Sequence, residues 1–217
     1  MRPAVGVVIT TNHTVLYDAG NSPAHARQVQ AALDLLDAPP VSHIVYSHHH
    51  WDHIFGAQVF TGATIIAHTL CNQRVIETSQ QGWGSSLIAE RQRKYPRMHS
   101  VYALLDTLVE WDDFEIALPT SVFETPSHTF EIDGLTFTAQ HVGGAHADSS
   151  TVLSVDDVMF LADCFYAPPW VMASSDDGPD VAMLRRLLAR GCEWYVDGHT
   201  GAHQRAFWHK WADSRKS

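Results

Sequence analysis

Short apolar runs bounded by polar turns recur along this chain, and they predict a fold with many short strands. The first two runs, at residues 4–10 and 14–20, predict a pair of strands around a turn at Thr11 to His13. The other predicted strands lie at residues 41–47, 63–68, 120–124, 128–133, 135–142, 150–155, 157–163 and 192–199.

Four segments carry helix signals. Residues 21–40 predict a helix that Asn21 or Ser22 caps, that begins with Pro23 in its first turn and that ends before two prolines. The other predicted helices are residues 69–95, with an interruption around 80–86, then 179–191 and 203–214. Because strands alternate with helices and then form a run of hairpins, we expect mixed β-sheets with helices outside, in a single domain over residues 1–217.

Polar clusters follow the ends of several predicted strands. His48 to His53 directly follow one apolar strand, and His146 lies in the loop after another. Asp163 and His199 end two further strands. Because functional groups gather on loops that a rigid scaffold holds, we expect these side chains to form a site.

Charge and composition exclude several classes of protein. The chain has 14 Lys and Arg against 24 Asp and Glu, a formal net charge of −10, and no basic stripe that would follow a nucleic-acid backbone. No apolar run is long enough to span a membrane, and residues 1–13 lack the apolar stretch of a secretory signal. The three cysteines do not form a disulfide framework or a metal spacing, so we expect a cytoplasmic protein.

Histidine is unusually frequent, with fifteen residues spread along the chain, and histidine is the commonest metal ligand. In an extended segment His48 and His50 point the same way and can bind one cation, whereas His49 points the opposite way. Asp52 and His53 follow where the chain turns, so they can face a second cation. This spacing after an apolar strand predicts a metal site.

The order and spacing of the motifs resemble the metallo-β-lactamase superfamily over nearly the whole chain. The motifs are LYDAG, which carries Asp18 and Gly20, then SHHHWDH, HVGGAHADSS, FLAD and DGHT. This resemblance implies an α/β fold, an αβ/βα four-layer sandwich of two mixed β-sheets flanked by helices. Only about one strand precedes the hairpin that ends at Asp18, so we expect the first sheet to lack an N-terminal strand of the usual pattern.

The resemblance also implies two metal ions per chain and assigns seven ligands to them. His48, His50 and His146 would bind the first metal, Asp52, His53 and His199 the second, and Asp163 would bridge the two. A carboxylate suits the bridge because it has two oxygens. Imidazole and carboxylate ligands without thiolate suit Zn²⁺, with Fe or Mn also compatible.

Several neighbouring residues compete for these roles. His141 competes with His146 but lies within a predicted strand, and His203 competes with His199 but is expected to start the last helix. Cys164 is interpreted as a buried free thiol beside Asp163. Asp18 is expected to be structural and to bond backbone groups near the histidine loop.

Tyr166 lies three residues after Asp163, where lactonases that resemble this pattern place a tyrosine, and its hydroxyl is a candidate donor to a developing oxyanion. Its alternative is an aromatic packing role. Trp51 and Trp170 are candidate walls of a substrate pocket.

The combined hypothesis is a two-metal hydrolase of a small ester, lactone, thioester or amide, in which a hydroxide between the metals attacks the carbonyl carbon. Asp52 would orient that hydroxide and shuttle its proton. No lysine lies in the segment just after Asp163, where it could hold a β-lactam carboxylate, which argues against a dedicated β-lactamase. The alternatives are a mononuclear iron oxygenase of sulfur compounds on the same fold and a metal-binding protein without turnover.

Overall fold

The strands form two sheets in a computed structural model that describes residues 2–169 and 177–215. The first sheet has the order β1-β2-β3-β4-β5, in which β1 and β2 are antiparallel and the later pairs are parallel. The second has the order β11-β10-β9-β8-β7-β6, antiparallel except for the β9–β10 pair. The strands are β1 (Gly6–Ile9), β2 (Thr14–Tyr17), β3 (Val41–Val45), β4 (Thr64–His68), β5 (Ser121–Phe123), β6 (Ser127–Ile132), β7 (Leu135–His141), β8 (Thr151–Val155), β9 (Val158–Ala162), β10 (Trp194–Asp197) and β11 (Gly201–Gln204).

Helices connect the strands and cover the outer faces of both sheets. Short 3-10 turns at Ala57–Val59 and Pro96–Met98 add to them. The α-helices of the described ranges are α1 (Pro23–Leu35), α2 (Trp51–Ile54), α3 (Thr69–Ser79), α4 (Ser85–Lys94), α5 (His99–Leu108), α6 (Val181–Leu188) and α7 (Arg205–Asp213). Within these ranges, none of the helices combines the length and the apolar character needed to cross a membrane.

Three apolar layers hold the sheets and helices together. Successive residues of a strand face opposite sides, so Leu16 and Ile44 of the first sheet pack under the helices, whereas their neighbours Val15 and Val45 face the second sheet. A third layer lies between the other face of the second sheet and helices α6 and α7, where Trp208 is fully buried. Layers of helix, sheet, sheet and helix confirm the predicted four-layer sandwich of two mixed sheets.

The first helix follows its predicted signals. Ser22 caps α1, since its Oγ accepts a hydrogen bond from the backbone N–H of His25 at 3.2 Å. Pro23 occupies the first helical position, where its missing N–H has no cost. The predicted helix over 69–95 is also confirmed, with its interruption at residues 80–84 between α3 and α4.

Besides the one-turn helix α2, which was not expected, two elements differ from the prediction. Helix α5 was not expected, although Val101, Leu105 and Leu108 have helical spacing and Leu105 is fully buried against the first core layer. The last helix begins at Arg205 because residues 201–204 form β11, so His203 lies in a strand and does not start a helix. This strand is short and carries no apolar alternation that would reveal it.

Candidate metal centre

Loops at one edge of the sandwich bring together candidate metal ligands from both sheets. The first sheet contributes through the loop after β3 and the short helix α2, and the second through the β7–β8 loop and the ends of β9 and β10. The side chains are His48, His50, Asp52 and His53 from the first sheet and His146, Asp163 and His199 from the second. All seven residues that the resemblance assigns as metal ligands therefore lie together at this edge.

His48, His50 and His146 form the first group of possible metal ligands. His48 Nε2 lies 2.9 Å from His50 Nδ1, which lies 3.1 Å from His146 Nε2. The other nitrogen of His146, Nδ1, donates to the carbonyl oxygen of Ala167 at 2.9 Å, and this bond fixes the ring. Three converging imidazole nitrogens can bind one transition-metal ion.

Asp52, His53 and His199 form a second group, and Asp163 lies close to both. Asp52 Oδ2 is 3.8 Å from His53 Nε2 and 3.7 Å from His199 Nε2. Asp163 Oδ2 lies 3.5 Å from His53 Nε2 and 3.2 Å from His199 Nε2, and also 3.3 Å from His146 Nε2 in the first group. A single carboxylate oxygen is thus within reach of both groups.

Asp18 fixes two of the rings from behind. It is buried after β2 and accepts hydrogen bonds from the backbone N–H of Ser47 at 2.8 Å, from Ser47 Oγ at 2.7 Å and from His53 Nδ1 at 2.7 Å. Because the Ser47 hydroxyl proton points to Asp18, Ser47 Oγ accepts from His48 Nδ1 at 2.9 Å. Both imidazoles therefore direct Nε2 toward the centre, as is usual behind metal-ligating histidines. The expected structural role of Asp18 is confirmed and includes side chains as well as backbone.

Burial and neighbouring charges shift the pKa values of His48 and His53 in opposite directions. Burial, followed by neighbouring imidazoles, lowers the pKa of His48 and His50 well below its usual value, which keeps them neutral as metal binding requires. Burial also acts to lower the pKa of His53, but nearby carboxylates, Asp52 first, outweigh it and raise that pKa. Burial acts to raise the pKa of Asp163, but His53 and other imidazoles outweigh it and hold that pKa well below its usual value. The second group therefore stabilises a positive charge at this position.

Unsatisfied buried atoms show that a cation fits this arrangement. His53 Nε2, Asp163 Oδ1 and His199 Nδ1 are buried and have no hydrogen-bond partner among the described residues. Buried polar atoms without a partner are costly, and a metal bound to the first two of these residues would offset that cost. The donors are imidazoles and carboxylates, which suits zinc and similar cations.

The competing residues lie outside both groups of candidate ligands. His141 lies in β7, stacks on His68 with ring centroids 3.9 Å apart and bonds to the carbonyl oxygen of Asp148. His203 stacks on Phe207 in the same way. Cys164 is buried and free, and burial raises the pKa of its thiol, so it stays protonated.

His49 also lies outside the groups, as its direction in the sequence predicted. Its Nδ1 lies 2.9 Å from Ser149 Oγ. Burial lowers the pKa of His49 to about 4, so the ring is neutral near pH 7. The three consecutive histidines therefore divide into two with possible metal-binding atoms and one that packs against the neighbouring loop.

The aromatic candidates have distinct surroundings. The Tyr166 ring stacks on His199 with centroids 5.8 Å apart, and its hydroxyl donates to Asp197 Oδ2 at 2.6 Å. Trp51 lies in α2 and packs edge-to-face on Phe55. Trp170 lies outside the described residues.

Three residues near the centre had been assigned no role from sequence. Ser47 relays the hydrogen bond from His48 to Asp18, and Asp197 accepts the bond from Tyr166. Gly198 packs so closely on Asp163 that an added Cβ would lie 1.9 Å from Asp163 Oδ1. Asp197 and Gly198 directly precede His199 in the DGHT motif, and this adjacency in the sequence was the signal that could have pointed to them.

Solved structures of other proteins share this fold. Among solved structures, a metallo-beta-lactamase from Pontibacter korlensis is 16% identical, with a TM-score of 0.65 over 97% of this chain and 91% of that one. An archaeal metallo-beta-lactamase superfamily protein from Sulfolobus tokodaii is 18% identical, with a TM-score of 0.62 over 97% and 78%. The stereoselective inverting sec-alkylsulfatase Pisa1 from Pseudomonas sp. is 15% identical, with a TM-score of 0.70 over 97% of this chain but 38% of its own.

At such identities the structural likeness concerns the fold alone. No curated protein matches the sequence. The sequence model of one family, described as the metallo-beta-lactamase superfamily, matches residues 3–205. Since that match covers most of the 217 residues, the chain belongs to the metallo-beta-lactamase superfamily.

Proposed function

We propose that this protein is a hydrolase that binds two divalent cations, zinc by preference, and cleaves a small ester, lactone, thioester or amide. His48, His50 and His146 would hold one cation, and Asp52, His53 and His199 the other. Asp163 would be shared by both. The proposed partner is a small-molecule substrate.

The observation that carries this proposal is the position of Asp163 Oδ2. It lies 3.3 Å from His146 Nε2 in the first group and 3.2 Å from His199 Nε2 in the second. The side chain is buried, and its lowered pKa keeps it ionised. A charged oxygen within reach of both groups supports two neighbouring cations over a single one.

Asp52 differs from the other carboxylate of the centre in its exposure. Its side chain is 20% exposed, against 5% for Asp163, so it reaches solvent. It is therefore placed to orient a water molecule and to accept its proton as a general base. Two cations bound in such a centre would lower the pKa of that water and polarise the scissile carbonyl.

The sequence favours a carbonyl substrate without a carboxylate of its own, because residues 164–209 contain no lysine. Among the described residues, no lysine or arginine forms an ion pair with any of the seven candidate ligands. Arg74 bonds to Asp148 at 2.9 Å and to Glu77 at 3.2 Å, so its charge is already paired. A β-lactam carries a carboxylate that a cationic side chain must bind, and such a substrate fits this centre less well.

Metal analysis combined with a substrate panel tests the proposal. Protein loaded with excess zinc and desalted should retain close to two equivalents and should hydrolyse at least one of a set of esters, lactones, thioesters and amides faster than a β-lactam. One equivalent of iron without zinc, with oxygen uptake on sulfur compounds, would replace it by the oxygenase alternative. Two zinc ions without any turnover would support a metal-binding role alone.

A further inference from the structure

The turn after β10 is organised by one buried carboxylate, that of Asp197, which is 2% exposed. Its Oδ1 accepts hydrogen bonds from the backbone N–H groups of Thr200 at 2.7 Å, Gly201 at 3.0 Å and His199 at 3.3 Å, and from the Thr200 hydroxyl at 2.8 Å. Its Oδ2 accepts from the Tyr166 hydroxyl at 2.6 Å. Hydrogen bonds to a charged acceptor are stronger than neutral ones, so this carboxylate holds the turn and the tyrosine firmly together.

His199 depends on this turn more than the other imidazoles do. The Nδ1 atoms of His48, His53 and His146 each have a hydrogen-bond partner that fixes the ring. Nδ1 of His199 is buried and has no partner among the described residues. The direction of its ring is therefore set by the backbone turn that carries it and by the Tyr166 ring stacked against it, inclined by 24°. Asp197 is hydrogen-bonded both to this turn and to Tyr166.

We propose that Asp197 is a positioning residue for the second cation. Through Oδ1 it folds the turn that carries His199, and through Oδ2 it holds the Tyr166 ring against the His199 ring. Together these contacts direct His199 Nε2 toward Asp163. The inference rests on the proposed two-cation function and adds to it a supporting group for one ligand.

The same geometry assigns a role to Tyr166. A hydroxyl has a single proton, and that of Tyr166 is given to Asp197. Tyr166 therefore acts through His199 and Asp197, and not as a donor to an oxyanion of the substrate. The two roles differ in what the loss of the hydroxyl changes: metal binding in the first, turnover alone in the second.

Cobalt titration of the metal-free full-length chain separates these roles. Visible absorption bands of Co²⁺ report its coordination, and the two equivalents are fitted as separate affinities. The first affinity is that of the group with His48, His50 and His146, and the second is that of the group with Asp52, His53 and His199. Asp197→Asn and Tyr166→Phe should each lower the affinity for the second equivalent about 10- to 100-fold, as expected when a group that orients a metal ligand is lost. The first equivalent should be unchanged. The double variant should be no weaker than the weaker single variant, because both substitutions break one network.

Tyr195→Phe is the matched control. Tyr195 is buried and lies in β10, but its hydroxyl donates to the backbone carbonyl oxygen of Leu187 at 3.2 Å, away from the centre. Its cobalt spectrum and affinities should match those of the wild type. Thermal melts without metal identify a variant that does not fold, and Tyr166→Phe tests the network alone if Asp197→Asn fails.

Three results would overturn the inference. If Tyr166→Phe loses turnover while its cobalt spectrum and second affinity stay intact, the hydroxyl acts on the substrate. If Asp197→Asn keeps both affinities, the carboxylate does not position His199. If the wild type takes up a single equivalent, the proposed function itself is wrong and the positioning role fails with it.

Discussion

Substitution of Gly198 by alanine would test the geometry of the shared carboxylate without removing any ligand. An alanine Cβ at this position would lie 1.9 Å from Asp163 Oδ1 and 3.1 Å from its carboxyl carbon. The backbone at Gly198 does not have the left-handed conformation that only glycine favours, so the added methyl acts through space alone. Asp163, Gly198 or both must move.

The size of the effect follows from that distance. The separation falls about 1.5 Å short of the 3.4 Å at which ordinary contacts begin. Overpacking of this kind costs about 1–3 kcal/mol in folding stability. Displacement of a reacting group by about 1 Å can cost about 10²-fold in rate, which equals roughly 2.7 kcal/mol of transition-state stabilisation. We therefore expect Gly198→Ala to bind less than two equivalents of zinc and to lose about 10²-fold in turnover.

The measurements are zinc content after desalting, initial rates on the best panel substrate and thermal melts. Gly84→Ala is the matched control, because an added Cβ there meets no atom within 4 Å and the backbone is extended. It should keep both metal ions and full activity. If Gly198→Ala behaves like this control, Asp163 does not hold the cations at its observed position.

Three further predictions concern the ligands themselves. Asp163→Ala should reduce the zinc content below two equivalents and the rate by about 10²-fold or more, and full retention of both would show that another group is the shared ligand. His49→Ala should leave metal content intact, whereas His48→Ala should weaken the first cation and lose about 10²-fold in rate; equal metal loss in both would contradict the assignment. Carboxylates around His53 raise its pKa, so in the metal-free protein it keeps a proton at neutral pH that the second cation must displace, whereas burial keeps His48 neutral. Affinity for the second cation should thus rise with pH below the raised pKa of His53, and more steeply than that for the first, and calorimetry in two buffers should detect more proton release in the second step.

Much of the fold was readable from local patterns. The cap at Ser22, the first-turn Pro23 and the apolar runs of the strands act over a few residues, so the sequence predicted α1 and most strands close to their observed positions. Helix α5 was missed because it follows directly on Pro96–Met98 and no side-chain cap marks its start. Strand β11 forms only through its pairing with β10, which local sequence does not show. The single-domain organisation over residues 1–217 stays a prediction.

The candidate ligands were predictable because their spacing and order are distinctive, and the structure brings all seven together. Apart from those of Asp18, their supporting contacts were not. Tyr166 and Asp197 are 31 positions apart, and Gly198 and Asp163 are 35 apart, so these contacts depend on the parallel pairing of β9 with β10. The DGHT motif marked the place but not the function of its first two residues.

The origin of the ligands from both sheets has a consequence for folding. His48 and His50 lie on the first sheet and His146 on the second, so a cation held by all three would cross-link the two halves of the sandwich. Binding to the folded chain alone stabilises it by about 2.7 kcal/mol when free metal is 100 times the dissociation constant. Chelation should therefore lower the melting temperature. His146→Ala and His50→Ala, one from each half, should remove the same share of this metal-dependent stability while leaving the metal-free melt nearly unchanged. In that sense the cations would join the two sheets of the sandwich, and loss of metal would loosen the fold as a whole.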